Sequence, residues 1–291
     1  MTVKGIEKLC VVGAGKMGHQ IAVCAALGGY SVTCTDTVPE MLREAEEFAD
    51  TWLDSRVAKG KIAEAVANEA RANLTFTSSL EKAASDADMV IEAIFEKLDL
   101  KRELFATLDS MCPTRAILAT NSSYIVGSQI ADATRRPDRV INMHFFNPAL
   151  VMKLVEVVKG PEVSDETADT VMAVSRSLGK VPVLLAKEIY GFLINRLLDA
   201  LNQEALYLHD MGVATYEDID LAVVNALGHP MGPFRLMDLT GIDLSYLVRM
   251  ELYRKTGDTR DKPSPTIVEK YTRGEWGERV GKGFYEYSKE K

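Results

Sequence analysis

The chain has 291 residues, 47% of them hydrophobic and 26% charged, a composition that excludes a long disordered tail. This length is compatible with one large α/β unit but favours two domains, because single hydrophobic cores stop growing near this size. The net charge of −8 argues against nucleic acid or an anionic membrane as a partner, while a local basic patch would still suit a small anion.

Two further absences bear on location and chemistry. The four cysteines, at positions 10, 24, 34 and 112, show no C-x-x-C spacing, so we expect neither a metal site nor a disulfide. The N-terminus has no hydrophobic signal region, and no stretch approaches the roughly 18 consecutive apolar residues of a membrane span. We therefore expect a cytoplasmic protein, or a matrix protein after processing.

The first predicted strand, Lys8–Val12, enters the turn Gly13-Ala14-Gly15-Lys16-Met17-Gly18, and a helical pattern leaves it. This order of strand, G-x-G-x-x-G turn and helix is typical of a dinucleotide-binding βαβ unit. Gly13 would allow the tight turn, Gly15 would let backbone approach a pyrophosphate, and Gly18 would let the helix pack closely on the strand. The N-terminus of the helix would then face the phosphates.

Asp36 follows the second predicted strand, Ser31–Thr35, and lies 18 residues after Gly18. A carboxylate here would accept hydrogen bonds from an adenosine ribose and repel a 2′-phosphate, which favours NAD over NADP. We also count Lys16 and Met17 with the cofactor-binding residues, although a surface lysine at a helix start is a simpler explanation of Lys16.

A long connection, Pro39 to Asp88, separates the second apolar segment from the third. Its first half is charged and has a helical period, which predicts a helical hairpin over residues 39 to about 75 that projects from the sheet. Lys59 and Lys61 lie at or near the turn of this hairpin. We expect these two lysines to meet an anionic part of the substrate.

Five more apolar segments of strand length follow, at Met89–Ile94, Ala116–Ala119, Arg139–Phe146, Lys153–Val158 and Lys180–Leu185. With helical or turn segments between most of them, they predict an α/β fold with a Rossmann-like, doubly wound sheet that ends in neighbouring strands. Strand patterns then stop and the composition becomes all-α. We expect an NAD-binding domain over residues 1–187 and an all-helical substrate and dimerisation domain over residues 188–291.

The second predicted domain begins with a helix from Gly191 to Met211. Thr215-Tyr216-Glu217-Asp218 then resembles a capping box before a helix over Ile219–Leu227, and Gly228 follows where a helix C-cap is preferred. By architectural analogy, the substrate would lie between the two domains and the helices would contribute a dimer surface.

His144 stands out because it lies at the end of a predicted strand, with a turn signal immediately after it. Doubly wound folds bind ligands at such strand ends, and a neutral imidazole suits the removal of a hydroxyl proton during hydride transfer. Glu156 lies in the next apolar strand, where a carboxylate is costly unless paired, so we expect it to orient His144. The alternative is a satisfied core histidine and an edge-strand glutamate.

Seven segments together resemble one known family: Gly13–Gly18, Val90–Glu96, Thr120–Ser123, His144–Pro148, Gly191–Arg196, Pro230–Phe234 and Gly281–Tyr285. In this order they resemble the L-3-hydroxyacyl-CoA dehydrogenase family in its short, 3-hydroxybutyryl-CoA dehydrogenase form. The resemblance spans essentially the whole chain, and seven motifs in order are far more specific than any one of them.

The resemblance implies catalytic roles for four side chains. His144 would be the general base and Glu156 its partner, while Ser123 and Asn195 would hydrogen-bond the reacting oxygen of the substrate. Both hydrogen-bonding residues have plainer alternatives. Ser123 would otherwise be a helix N-cap or turn residue, and Asn195 part of a structural hydrogen bond between domains.

Further cofactor contacts are implied from Asp36, Glu96 and Lys101, and we add Asn121 from the same strand end as Ser123. For Glu96 and Lys101 the alternative is an exposed helical charge pattern. The implied activity is NAD-dependent oxidation of a short-chain L-3-hydroxyacyl-CoA and the reverse reduction, as in fatty acid metabolism and β-oxidation. Two other activities stay open: dehydrogenation of a free hydroxy acid or sugar acid, and non-catalytic, crystallin-like NAD binding.

The chain departs from the family at several positions. Trp52 aligns approximately with a CoA-contacting serine of some members, which leaves the manner of CoA binding open. Gln20 replaces a small residue and would either crowd the glycine turn or supply a donor. Tyr124 and Tyr190 replace the common serine and proline and would line the acyl pocket. Arg235 replaces a frequent glutamate, either to pair with a carboxylated acyl chain or as a surface arginine.

Overall fold

Eight strands form one sheet in the computed structural model, which describes residues 2–288. In chain order they are β1 (Lys8–Val12), β2 (Ser31–Thr35), β3 (Leu74–Thr77), β4 (Met89–Glu92), β5 (Ile117–Thr120), β6 (Val140–Phe145), β7 (Leu154–Val158) and β8 (Val181–Leu185). Across the sheet their order is β3-β2-β1-β4-β5-β6-β7-β8. Every neighbouring pair is parallel except β6 and β7, which are antiparallel.

The strand order creates a crevice at one point of the sheet. The chain moves outward from β1 through β2 to β3, then returns to place β4 on the other side of β1. In doubly wound sheets, ligands bind at the carboxyl ends of the strands where the order reverses in this way. The predicted α/β fold with a Rossmann-like sheet is confirmed.

The central strands are buried on both faces, as continuous apolar sequences in parallel strands require. Leu9 and Val11 of β1 enter the core on one face, whereas Cys10 and Val12 enter the core on the other. Seven helices connect and flank these strands: α1 (Gly18–Leu27), α2 (Pro39–Ala58), α3 (Glu64–Ala72), α4 (Leu80–Ala84), α5 (Leu98–Met111), α6 (Ser128–Ala131) and α7 (Asp165–Ser177).

The long connection after β2 differs from the prediction in two respects. Helices α2 and α3 do form a hairpin with the lysines in its turn, but the hairpin does not simply project from the sheet. Leu42, Ala45, Ala49 and Leu53, spaced three or four residues apart, are buried in the core shared with α1. The prediction also missed β3, because this edge strand pairs with β2 alone and is only partly buried.

All four cysteines are free and buried. Burial is the main cause that raises the pKa of Cys112 to about 11, so its thiol resists ionisation. Within residues 2–288, no helix combines the length and the apolar character needed to cross a membrane.

The chain divides into two compact units, Met1–Leu193 and Ile194–Lys291. The predicted boundary, between residues 187 and 188, lies six residues earlier, and the predicted end at residues 289–291 lies outside the described residues. The second unit contains α8 (Ile194–Asp210), α9 (Tyr216–Leu227), α10 (Pro233–Thr240), α11 (Ile242–Thr256) and α12 (Pro265–Arg273).

Local backbone conformation sets where two helices of the second unit begin or end. The Thr215 side chain accepts from the Asp218 N–H at the start of α9, and Gly228 ends this helix in the left-handed region, as predicted. The first helix begins at Ile194 rather than Gly191, because Gly191 and Phe192 have φ angles of +75° and +49°. These angles are incompatible with a right-handed helix.

A buried carboxylate organises two of the motifs in the second unit. Asp220 on α9 accepts hydrogen bonds from the Phe234 N–H at 2.8 Å, the Arg235 N–H at 3.0 Å and the Tyr285 hydroxyl at 2.9 Å. A side chain at Gly232 would collide with this carboxylate. Exposed Arg235 lies over the Tyr285 ring, 4.1 Å from its centroid, so this departure from the family is held by a cation–π contact.

Candidate active site

The glycine turn between β1 and α1 has the geometry of a dinucleotide cradle. Gly13 has a φ of +100°, and a Cβ there would lie 2.7 Å from the Ala93 carbonyl oxygen. A Cβ at Gly18 would overlap the Gly13 carbonyl, whereas one at Gly15 would meet no protein atom within 4 Å. Two glycines therefore allow close packing and the third leaves an open face, so the turn fits a pyrophosphate at the start of α1.

Two polar side chains, Asp36 and Gln20, hydrogen-bond the backbone in and around this turn. Asp36 accepts from the Ala14 N–H at 2.8 Å and from the Val38 N–H at 2.9 Å. Gln20 donates to the Lys16 carbonyl oxygen at 3.0 Å and is buried. The departure at Gln20 thus supplies a donor that supports the turn, and the Lys16 side chain is exposed beside it.

His144 and Glu156 are brought together by the antiparallel register of β6 and β7, in which they are direct partners. The Nδ1 atom of His144 lies 2.8 Å from Oε2 of Glu156. An ionised carboxylate only accepts hydrogen bonds, so Nδ1 donates to it, and whenever the ring is neutral Nε2 is the nitrogen that can accept. Nε2 lies 3.0 Å from Oγ of Ser123, so this nitrogen faces the serine hydroxyl.

Glu156 is fully buried, and both of its oxygens have partners, which a buried charge requires. Its second oxygen accepts from the Leu193 N–H at 3.1 Å. The rings of Phe146 and Phe192 lie 4.6 and 5.5 Å from the His144 ring and surround it with apolar surface. Since β7 pairs with both β6 and β8, the alternative of Glu156 as an edge-strand residue is wrong.

Ser123 lies in the turn that follows β5. Its hydroxyl contacts His144, while the neighbouring Ser122 hydroxyl accepts from the Ile125 N–H at 2.9 Å. The next helix, α6, has Gly127 at its N-cap. The N-cap alternative for Ser123 is therefore wrong. Ser123 is a turn residue, as the other alternative has it, but the hydroxyl that accepts from the turn backbone is that of Ser122.

An ion cluster lies beside this turn, with Glu92 and Lys101 buried and Glu96 exposed at its edge. Lys101, 1% exposed, donates to Oε1 of Glu92 at 2.6 Å and lies 3.4 Å from Oε2 of Glu96. The alternative of an exposed helical charge pattern is therefore wrong for Lys101. The sequence analysis missed Glu92, although a glutamate within the apolar β4 segment was the available signal.

Asn121 links the ends of two strands. Its side-chain oxygen accepts from the Phe145 N–H at 2.9 Å, next to His144. The backbone after β5 is therefore joined to β6, the strand that carries His144. Nearby, the rings of Tyr124 and Tyr190 lie 5.0 Å apart.

The remaining predicted residues lie away from this cluster or in the second unit. Lys59 and Lys61 are exposed in the turn between α2 and α3, and Trp52 is half-buried under the Arg56 guanidinium. Asn195 lies in the first turn of α8, and its role stays a prediction.

Comparison with known proteins places this site in a family. Residues 8–189 match the model of the 3-hydroxyacyl-CoA dehydrogenase NAD binding domain, and residues 191–287 match that of the C-terminal domain. A 3-hydroxybutyryl-CoA dehydrogenase of Clostridioides difficile is 38% identical over 97% of this chain and 100% of its own length. The mitochondrial hydroxyacyl-coenzyme A dehydrogenase of Homo sapiens is 35% identical over 97% and 91%, respectively.

A solved structure extends the likeness to three dimensions. The (S)-3-hydroxybutyryl-CoA dehydrogenase of Ralstonia eutropha has a TM-score of 0.91 and 35% identity, covering 98% of this chain and 100% of its own. The two family models together span both units of the chain. The chain therefore belongs to the 3-hydroxyacyl-CoA dehydrogenase family of NAD-dependent oxidoreductases.

Proposed function

We propose that the protein interconverts a short-chain L-3-hydroxyacyl-CoA, such as 3-hydroxybutyryl-CoA, and its 3-ketoacyl-CoA, a reaction of fatty acid β-oxidation. Two relatives are named for 3-hydroxybutyryl-CoA. The observation that carries the proposal is the position of His144, with Nε2 3.0 Å from the Ser123 hydroxyl and Nδ1 2.8 Å from Oε2 of Glu156. This arrangement accepts a proton from a substrate hydroxyl bound beside Ser123.

In the proposed mechanism, the glycine turn and Asp36 would hold NAD, which would supply the acceptor for the hydride of C3 of the hydroxyacyl group. His144 takes the hydroxyl proton on Nε2 and returns it in the reverse reaction. Glu156 holds the ring in the required tautomer and offsets the positive charge that forms on it. Ser123 and Asn195 hydrogen-bond the reacting oxygen and hold it in position, so the contribution of the chain is positioning and electrostatic stabilisation.

The test is NADH oxidation with acetoacetyl-CoA, run beside free acetoacetate. Rapid oxidation with the CoA ester alone supports the proposal. Equal turnover of the free acid would instead favour a dehydrogenase of free hydroxy acids. Tight NADH binding with no turnover of acyl-CoA substrates of any length would favour the non-catalytic alternative.

Two substitutions in the glycine turn distinguish an effect on folding stability from an effect on cofactor affinity. Gly18→Ala forces a methyl group into the Gly13 carbonyl, so we expect a loss of about 2 kcal/mol in unfolding free energy together with weaker NADH binding. Gly15→Ala places its methyl in open space, so stability should be kept and only NADH affinity should fall. Thermal unfolding and NADH fluorescence titration measure the two effects. Equal NADH affinity for Gly15→Ala and wild type would contradict the role of Gly15.

Asp36 should set the preference for NAD. Asp36→Asn keeps an oxygen for the Ala14 N–H but removes the charge that repels a 2′-phosphate. We expect the ratio of kcat/KM with NADH to kcat/KM with NADPH to fall about tenfold, or 1.4 kcal/mol. An unchanged ratio would show that Asp36 does not discriminate between the cofactors.

Lys59 and Lys61 are proposed contacts for the anionic part of the acyl-CoA, since both are exposed in one turn. Exposed ion pairs contribute up to about 1 kcal/mol each, so changing both lysines to alanine should raise KM for acetoacetyl-CoA about fivefold at low salt. The increase should shrink as salt is added. Lys4→Ala, an exposed lysine before β1, is the matched control. A KM equal to that of this control would contradict the proposal.

We further propose a homodimer formed through the second unit. Large apolar side chains are unusually exposed on α8, α9 and α11: Leu197 at 59%, Leu221 at 62%, Leu227 at 61%, Leu244 at 52% and Leu247 at 50%. Contiguous exposed apolar surface is typical of protein interfaces, and these five side chains are the ones that would supply it. Light scattering that gives the monomer mass at micromolar concentration would contradict this. Cytoplasmic location stays a prediction.

A further inference from the structure

Four donors converge on one oxygen of Glu96. Its Oε1 accepts from the Ser122 hydroxyl and from three successive N–H groups: Ser123 at 3.1 Å, Tyr124 at 2.9 Å and Ile125 at 3.4 Å. Successive N–H groups that point inward form a concave anion site, here filled by a side chain of the same chain. The carboxylate therefore fastens the whole turn 122–125 to the segment that follows β4.

Lys101 and the hydrogen bonds of the turn stabilise the negative charge of Glu96. Burial alone would raise its pKa, but the charge of Lys101 and the hydrogen bonds from the turn outweigh burial, so the pKa is lowered. Lys101 is itself held by Glu92, which is fully buried. A negative charge at Glu96 is thus part of the folded arrangement.

A second hydrogen-bonded path joins the same turn to the sheet. Thr120, the last residue of β5, donates its hydroxyl to Oε2 of Glu92 at 2.7 Å. The same Thr120 oxygen accepts from the Ser122 N–H at 3.1 Å. The turn is therefore linked to Glu92 through Thr120 and to Glu96 directly. Ser123 is part of the turn that these two glutamates hold.

We propose that Glu96 is a positioning residue, which holds the Ser123 hydroxyl against His144 by binding the backbone of the turn. The proposal rests on the proposed function, since it needs Ser123 to bind the reacting oxygen. It gives Glu96 a role in substrate alignment, which differs from the cofactor contact implied by the family resemblance. Without the carboxylate, three N–H groups lose their common acceptor and the Ser123 hydroxyl loses its fixed distance from Nε2.

A double-mutant cycle tests this coupling. Ser123→Ala and Glu96→Ala should each lower kcat/KM for acetoacetyl-CoA about a hundredfold, as the loss of one oxygen-binding donor does. If Glu96 acts through Ser123, the double variant should be no slower than the slower single variant. The affinity for NADH, measured by fluorescence titration in the same variants, reports separately on the cofactor contact that the family resemblance implies for Glu96.

Two more variants complete the design. Glu96→Gln keeps an oxygen for the N–H groups, so it should recover most of the activity lost in Glu96→Ala. It also replaces the alanine variant in the cycle if that variant does not fold. Asp99→Ala removes a nearby exposed carboxylate on α5 and should match wild type.

The outcomes separate the inference from the proposed function. Multiplicative losses in the double variant would overturn the positioning role, and weaker NADH binding in Glu96→Ala would then leave Glu96 as a cofactor contact. Wild-type activity in Ser123→Ala would overturn the proposed role of Ser123 and this inference with it. Non-additive losses in kcat/KM would support both the role of Ser123 and the positioning role of Glu96.

Discussion

His144→Ala is expected to lower kcat for acetoacetyl-CoA reduction by about 10³-fold while NADH affinity stays unchanged. General acid–base groups contribute about 10² to 10⁴ in rate, and Nε2 of His144 is the atom that faces the Ser123 hydroxyl at 3.0 Å. Alanine removes the proton donor and acceptor but touches no part of the glycine turn. The rate of NADH oxidation and a fluorescence titration with NADH measure the two quantities.

A cavity between Phe146 and Phe192 is the competing explanation of any loss in His144→Ala. His144→Gln fills most of this space and keeps a polar group, but it cannot carry a proton at neutral pH. We expect it to be as inactive as the alanine variant and to unfold at a temperature close to that of wild type. Activity within tenfold of wild type in the glutamine variant would show that His144 is not the general base.

The second large effect is expected from Glu156→Gln. The amide oxygen of glutamine can accept from the Leu193 N–H, as Oε1 of Glu156 does, which turns the NH₂ group toward Nδ1 of His144. Nδ1 then becomes an acceptor, and the proton moves to Nε2, where it blocks the basic atom. The positive charge that forms on the ring also loses its partner. We therefore expect kcat to fall about 10³-fold.

The matched measurements for Glu156→Gln distinguish a catalytic defect from a folding defect. A neutral amide of the same shape avoids the cost of a buried charge, so the unfolding temperature should not fall. Combined with His144→Ala, the substitution should add little further loss of rate, because the two residues act as a unit. A full multiplicative loss in the double variant would mean that Glu156 acts independently of the histidine.

Much of the fold was predictable because the signals are local. The glycine turn, the strand that enters it and the cap at Thr215 each depend on backbone conformations and hydrogen bonds within a few residues. The continuous apolar segments likewise predict a buried parallel sheet. The edge strand β3 escaped prediction because its burial depends on one distant partner, β2.

The sequence by itself determined the kind of site: a dinucleotide turn, a histidine at a strand end and a buried glutamate that needs a partner. Only the tertiary structure decided which groups meet. The antiparallel register of β6 and β7 places His144 opposite Glu156, and the adjacency of β4 and β5 joins Glu96 to the turn of Ser123. These pairs are separated by 12 and 27 residues, so their geometry depends on packing that no local pattern encodes.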